Sequence, residues 1–124
     1  MKILVLDDAK VIRSLQKLTL KTKSYEVTTC ATVKKAFEVA CNENVDLIIV
    51  DYMLDEKETG LELIQKLMDK NPEFNIPCIV LSGEQMQAHR TEAKCLGIKA
   101  WVKKPSTPVG ILATVDKILE QQQT

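Results

Sequence analysis

The chain has 124 residues, 45% of them hydrophobic and 27% charged, which suits one domain with a working hydrophobic core. Its 17 basic and 17 acidic side chains cancel, so no global field draws it to nucleic acid, and Lys34-Lys35 and Lys103-Lys104 are its only basic doublets. No apolar run approaches the roughly 18 residues needed to cross a bilayer, and the opening MKILVLDD turns acidic where a secretory signal stays apolar. The expectation is a cytoplasmic protein that binds neither nucleic acid directly nor membranes.

Apolar runs and helical patterns alternate from the first residue. A continuous apolar run over 3–6 reads as a strand, and Val11, Ile12, Leu15 and Leu18 recur after it at helical spacing. A mixed, β-branched second strand covers 25–30. Val33, Ala36, Phe37, Ala40 and Cys41 then follow at offsets of 0, 3, 4, 7 and 8, the mark of a second helix. The third strand, LIIV, runs into Asp51. Thr59 and Glu62 form a T-x-x-E capping box ahead of Leu61, Ile64, Leu67 and Met68, one face of a third helix. Asn71-Pro72 and Ile76-Pro77 punctuate a loop before a fourth strand over 79–81.

A fourth helix, weakly periodic and mostly polar, is predicted over 84–96 with Gly97 just past its end. His89 lies in it, on the surface. A last short strand covers 100–102. Pro108 suits the first turn of a closing helix whose apolar face is Val109, Leu112, Val115, Ile118 and Leu119. Strands apolar on both faces, in strict βα alternation, predict an α/β fold with a doubly wound parallel sheet of five strands and five helices. One domain spans 1–124, with 121–124 a polar tail or the start of a linker. The four cysteines, Cys30, Cys41, Cys78 and Cys95, show no CxxC spacing, and His89 is the single histidine. Buried free thiols fit better than a zinc site.

Ligands of an open parallel sheet bind beyond the carboxyl ends of the strands. Strand one delivers Asp7-Asp8 there, strand three Asp51, strand four Ser82, and strand five leads into Lys104-Pro105. Three carboxylates together repel and lose hydration, and a hard divalent cation such as Mg²⁺ is their natural compensator. One ammonium and one hydroxyl beside them could hold the oxygens of a phosphoryl group, with Asp51 as nucleophile. Taken singly, each group has a plainer reading. Asp7 and Asp8 could cap the first helix, Asp51 and Ser82-Gly83 could be turn residues, Lys104 could be solvated, and Trp101 could belong to the core.

Together, LVLDD, IIVD, VLSG and WVKKP, in this order and spacing, resemble the receiver domain of response regulators (CheY-like) over essentially the whole chain. The resemblance implies a flavodoxin-like sheet of order 2-1-3-4-5 and a switch in two-component or phosphorelay signal transduction. Asp51 is then the phosphoacceptor for a histidine kinase or histidine phosphotransfer protein. Asp7, Asp8, Asp51 and the main-chain carbonyl of Met53 hold Mg²⁺, with Asp7 acting largely through water. Ser82 and Lys104 bind the phosphoryl group, Ser82 and Trp101 form the switch pair, and Met53 and Glu84 tune phosphate lifetime.

The resemblance also implies a regulator and not an enzyme, beyond self-phosphorylation from a phosphodonor and slow autodephosphorylation. A downstream protein would dock on the face formed by the helix over 84–96, the last strand and the closing helix, and the domain would be a monomer or a phosphorylation-dependent dimer. Two features depart from the family: Asp55 stands where proline is usual, and Gly60 comes one residue late, so the loop over 55–59 is longer and more acidic. Trp101 is also bulkier than the family's usual Tyr or Phe. The alternatives are a pseudo-receiver docking module and a haloacid-dehalogenase-type phosphohydrolase. Against the hydrolase, Asp7-Asp8 is followed by Ala9 where that family has D-x-D, and no acidic pair follows Lys104 at a strand end.

Overall fold

The computed structural model describes residues 1–52, 54, 59–82, 100–103 and 107–122, with the backbone alone for Ser82, Ala100, Trp101, Lys103, Pro108 and Gln122. Within them, strands β1 (Lys2–Leu6), β2 (Glu26–Cys30), β3 (Leu47–Asp51), β4 (Cys78–Ser82) and β5 (Ala100–Lys103) form one parallel sheet of order β2-β1-β3-β4-β5. Helices α1 (Lys10–Lys21), α2 (Val33–Asn42), α3 (Leu61–Lys70) and α4 (Pro108–Gln122) connect or close it. The doubly wound, flavodoxin-like α/β sheet is therefore as expected. The helix expected over 84–96, with His89, Glu84, Cys95 and Gly97, lies outside the described residues.

Alternation along the strands sends successive side chains to opposite faces. Leu4, Leu6, Ile48, Val50 and Val80 join one core cluster with Val33, Ala36, Leu61, Ile64 and Leu67 from α2 and α3. Ile3, Val5, Leu47, Ile49, Ile79 and Leu81 join the other with Leu20 of α1 and Ile111, Val115, Ile118 and Leu119 of α4. Both faces are thus covered, which is why Ile3 to Leu6 of β1 and Leu47 to Val50 of β3 are apolar without a break.

Local capping agrees with the sequence in part. The Thr32 hydroxyl accepts the Lys35 N–H at 3.2 Å and starts α2. At α3 only half of the expected capping box forms: the Glu62 carboxylate accepts the Thr59 N–H at 3.2 Å. The cap position itself is taken by Gly60, one residue later than expected. Asn71 ends α3, its side-chain oxygen accepting the Glu73 N–H at 3.0 Å beside Pro72.

Helix α1 corrects the sequence reading. Val11, Ile12, Leu15 and Leu18, its helically spaced apolar residues, are 70%, 38%, 45% and 68% exposed. The line turned toward the sheet is Arg13, Gln16, Lys17 and Leu20, of which Gln16 and Leu20 are buried. From the start of this line Arg13 reaches back to donate to the Asp7 carbonyl at 2.8 Å. Gln16, Lys17 and Leu20, at i+3, i+4 and i+7 from Arg13, share its side of the helix, and Leu20 packs into the core cluster with Ile3 and Val5.

Gln16 is consequently 2% exposed, and neither its amide nitrogen nor its amide oxygen has a hydrogen-bond partner. An unsatisfied buried amide is destabilising, whereas an apolar side chain of similar shape is not. Gln16→Leu is expected to raise unfolding stability by about 2 kcal/mol. A higher urea midpoint at unchanged slope is the signature, and an unmoved midpoint would mean that water satisfies the amide.

Of the cysteines expected to be buried, Cys30 and Cys78 are, but Cys41 is exposed near the end of α2, and Cys95 lies outside the described residues. Burial pushes the Cys78 thiol up to about 12, so it packs as a small apolar group. No helix among the described residues is long and apolar enough to cross a membrane.

Candidate functional site: an acidic cluster at the carboxyl edge of the sheet

The topology places β1 and β3 side by side at the centre of the sheet, so their carboxyl ends share one edge. Asp7 and Asp8 follow β1, and Asp51 is the last residue of β3. One carboxylate oxygen from each of the three lies within 4.8 Å of the others. Asp7 and Asp51 are 1% and 5% exposed, while Asp8 is open to solvent.

The β1–α1 turn is fixed at several points. The Asp7 N–H donates to the Cys30 carbonyl at 3.1 Å, extending the β1–β2 ladder by one bond. The Asp7 carboxylate accepts the Ala9 N–H at 2.9 Å, a local turn that aspartate makes readily. Ala9, with no side-chain cap, occupies the N-cap of α1, so Asp7 and Asp8 do not serve as its caps. The beginning of the helix is therefore held by its connection to the sheet, leaving Asp8 available at the edge.

Asp51 is held by the backbone on both sides. It pairs in register with Leu81, and the Tyr52 N–H donates to the Leu81 carbonyl at 2.8 Å. Tyr52 and Leu54, 8% and 2% exposed, both join the α2–α3 core cluster. These two anchors flank Met53 in sequence. The chain returns at Gly60, whose N–H donates to the Tyr52 carbonyl at 2.9 Å. A Cβ on Gly60 would collide with the Asp51 carbonyl oxygen and lie 2.7 and 2.9 Å from Val50 Cβ and Cγ2. Gly60 has an ordinary helical φ of −63°, so close approach, not backbone freedom, demands glycine there.

Of the expected site residues, the structure thus brings Asp7, Asp8 and Asp51 together. Ser82 ends β4 in register with Lys103, the last residue of β5, so the backbones of these two residues share the same sheet edge. Met53, Glu84 and Lys104, the loop over 55–58, and the side chains of Ser82 and Trp101 lie outside the described residues. Cys30, at the end of β2, contributes no nucleophile: burial raises its thiol pKa, and the nearby Lys35 and Arg13 cations only partly oppose this. Two neighbours of the acids were not legible as site residues. Gly60 showed only as a glycine where a helix cap was due, and Arg13 gave no signal, being one of 17 basic residues.

Two buried carboxylates beside a third are an oxygen-only donor set, which suits a hard divalent cation and not a soft one. A parallel sheet of order β2-β1-β3-β4-β5 carrying such a cluster at its carboxyl edge defines a flavodoxin-like α/β protein with an acidic, oxygen-donor pocket. The family model of the response regulator receiver domain matches residues 3–116, and the chain belongs to that family.

The regulatory protein VanR of Enterococcus faecium is 33% identical over 114 residues, covering 92% of this chain and 48% of VanR. The transcriptional regulatory protein SrrA of Staphylococcus aureus is 28% identical over 123 residues, covering 99% of this chain and 49% of SrrA. The chain therefore spans about half the length of the curated relatives it matches. Among solved structures, a CheY-like receiver domain from Methanospirillum hungatei superposes with a TM-score of 0.88 at 26% identity, covering 98% of this chain and 95% of that one. The chemotaxis protein CheY4 of Vibrio cholerae gives 0.85 at 29% identity, covering 94% and 96%.

Receiver domains are switches of two-component signal transduction and not classical enzymes. They bind Mg²⁺ at an acidic pocket and interact with histidine kinases and downstream effectors. Neither the docking-module nor the hydrolase alternative is favoured by these relationships.

Proposed function

We propose that the chain is a single domain over 1–124 that accepts a phosphoryl group on Asp51 from a histidine kinase or histidine phosphotransfer protein. The observation that carries this reading is the acidic cluster, with Asp51 at the end of a central strand, 5% exposed, paired in register with Leu81 and followed by Tyr52, whose backbone is bonded to Leu81 and Gly60. Such a carboxylate is a pre-positioned nucleophile, and phosphoryl transfer asks for little beyond positioning and charge neutralisation.

In this mechanism an Asp51 oxygen bonds to phosphorus as the donor's P–N bond breaks, and the electron pair of that bond stays with the imidazole nitrogen. Asp7, Asp8, Asp51 and the Met53 carbonyl would hold Mg²⁺, with Asp7 acting largely through water. The ion would supply the positive charge that lets a phosphoryl group of up to two negative charges approach three acids. Lys104 then pairs with the transferred group and Ser82 donates a hydrogen bond to it, with Trp101 turning as Ser82 is drawn in. Met53 and Glu84 set how readily water reaches the acyl phosphate.

The added charge of about −1.5 to −2 shifts the population of the face formed by the segment over 84–96, β5 and α4 toward a form that a downstream protein recognises. The domain acts as a monomer or as a phosphorylation-dependent dimer, in the cytoplasm. Incubation with a small phosphodonor and Mg²⁺ tests the core of this reading by intact mass. Wild type should gain one phosphoryl group and Asp51→Asn none. No gain in wild type, or an equal gain in the variant, overturns it and favours a docking module of the same fold.

A further inference from the structure

We propose that Arg13 is a positioning residue for the acidic site, fixing the peptide between Asp7 and Asp8 and so placing the Asp8 carboxylate beside Asp51. The β1–β3 register ends at Leu6, and beyond it the Asp7 carbonyl is taken up by the Arg13 guanidinium at 2.8 Å. That carbonyl belongs to the peptide unit joining Asp7 to Asp8. Rotation of this plane changes ψ of Asp7 and φ of Asp8 together, swinging the direction in which Asp8 leaves the backbone.

Two further bonds hold the peptides on either side of that plane. The Asp7 N–H bond to Cys30 holds the preceding peptide, and the Ala9 N–H bond to the Asp7 carboxylate holds the following one. Asp8 is exposed, and no hydrogen bond is described for its side chain, so its place in the cluster depends on the backbone that carries it. Arg13 is itself braced: it is half-buried, and its own N–H donates to the Ala9 carbonyl at 3.0 Å in the first turn of α1. A rigid guanidinium can hold a carbonyl from that position at little cost in side-chain freedom. The bond thus joins the inward line of α1, which carries Gln16 and Leu20, to the backbone of the acids.

This inference rests on the reading of the acidic cluster as a Mg²⁺ site, and calorimetric titration with MgCl₂ separates the two. Wild type is expected to bind and Asp8→Asn to lose most of that binding; absence of binding by wild type would overturn the metal site itself. Given binding, Arg13→Met, which keeps the aliphatic stem and removes the donors, should weaken Mg²⁺ affinity about 10-fold, the scale of a lost partner behind a metal ligand. Arg13→Lys, which can offer a single N–H to the carbonyl, should recover part of the loss.

Thermal unfolding in EDTA and in saturating Mg²⁺ guards against a general loss of fold. A purely structural role lowers both midpoints equally, whereas a positioning role shrinks the Mg²⁺-induced increment. Unchanged affinity in Arg13→Met overturns the proposal. So does tighter binding, because that sign would mean Arg13 acts as a competing cation. If Arg13→Met does not fold, wild-type affinity in the folded Arg13→Lys variant still overturns it.

Discussion

Gly60→Ala is expected to lose about 3 kcal/mol of stability, a fall in Tm of roughly 10 °C for a domain of this size. The new methyl group would overlap the Asp51 carbonyl oxygen and crowd Val50, two points of the central strand that cannot retreat from the sheet. The chain must therefore withdraw at Gly60, stretching its N–H bond to the Tyr52 carbonyl and loosening the start of α3. Alanine is otherwise the better helix former, so propensity alone predicts the opposite sign. Gly110→Ala is the control. There, among the described residues, the added Cβ meets only the Thr107 hydroxyl, at 3.1 Å in the exposed first turn of α4. Its stability should stay within about 0.5 kcal/mol of wild type. Denaturant melts of the two variants check the contrast, and equal behaviour would remove the close-approach argument.

Asp51→Asn is expected to separate stability from function. The amide keeps the shape of the carboxylate, so the folded domain should persist in EDTA. The change removes the proposed phosphoacceptor and one of three oxygen donors. The expected pattern is thus a cooperative thermal transition in EDTA, a clearly smaller Tm increment on adding Mg²⁺, and no phosphoryl gain. An increment as large as that of wild type would mean that Asp51 is not among the metal ligands.

Much of this was legible in the sequence because the governing interactions are local and binary. LIIV and ILVL are apolar on both faces, which only a covered parallel strand tolerates, and each ends in acids. Strict βα alternation then leaves few topologies, all of which gather the strand ends at one edge. What failed depended on contacts that residue type does not announce. Val11, Ile12, Leu15 and Leu18 have helical periodicity, yet they are exposed, and the inward line is the one with buried Leu20 and with Arg13 bonded to the Asp7 carbonyl. YMLDEKETG reads as a polar loop, but Tyr52 and Leu54 are core residues, since a two-residue period continues briefly past the strand. Gly60 looks like turn chemistry, and nothing local reveals the carbonyl oxygen it must accommodate.

The outward turn of α1 also bears on how the protein behaves in a tube. Four large aliphatic side chains on one twelve-residue helix meet solvent on a molecule whose formal net charge at pH 7 is zero. Long-range repulsion, which ordinarily keeps such patches on separate molecules apart, is at its weakest there. Colloidal behaviour near neutrality is therefore governed by concentration and by what shields this helix, and not by how firmly the sheet is folded.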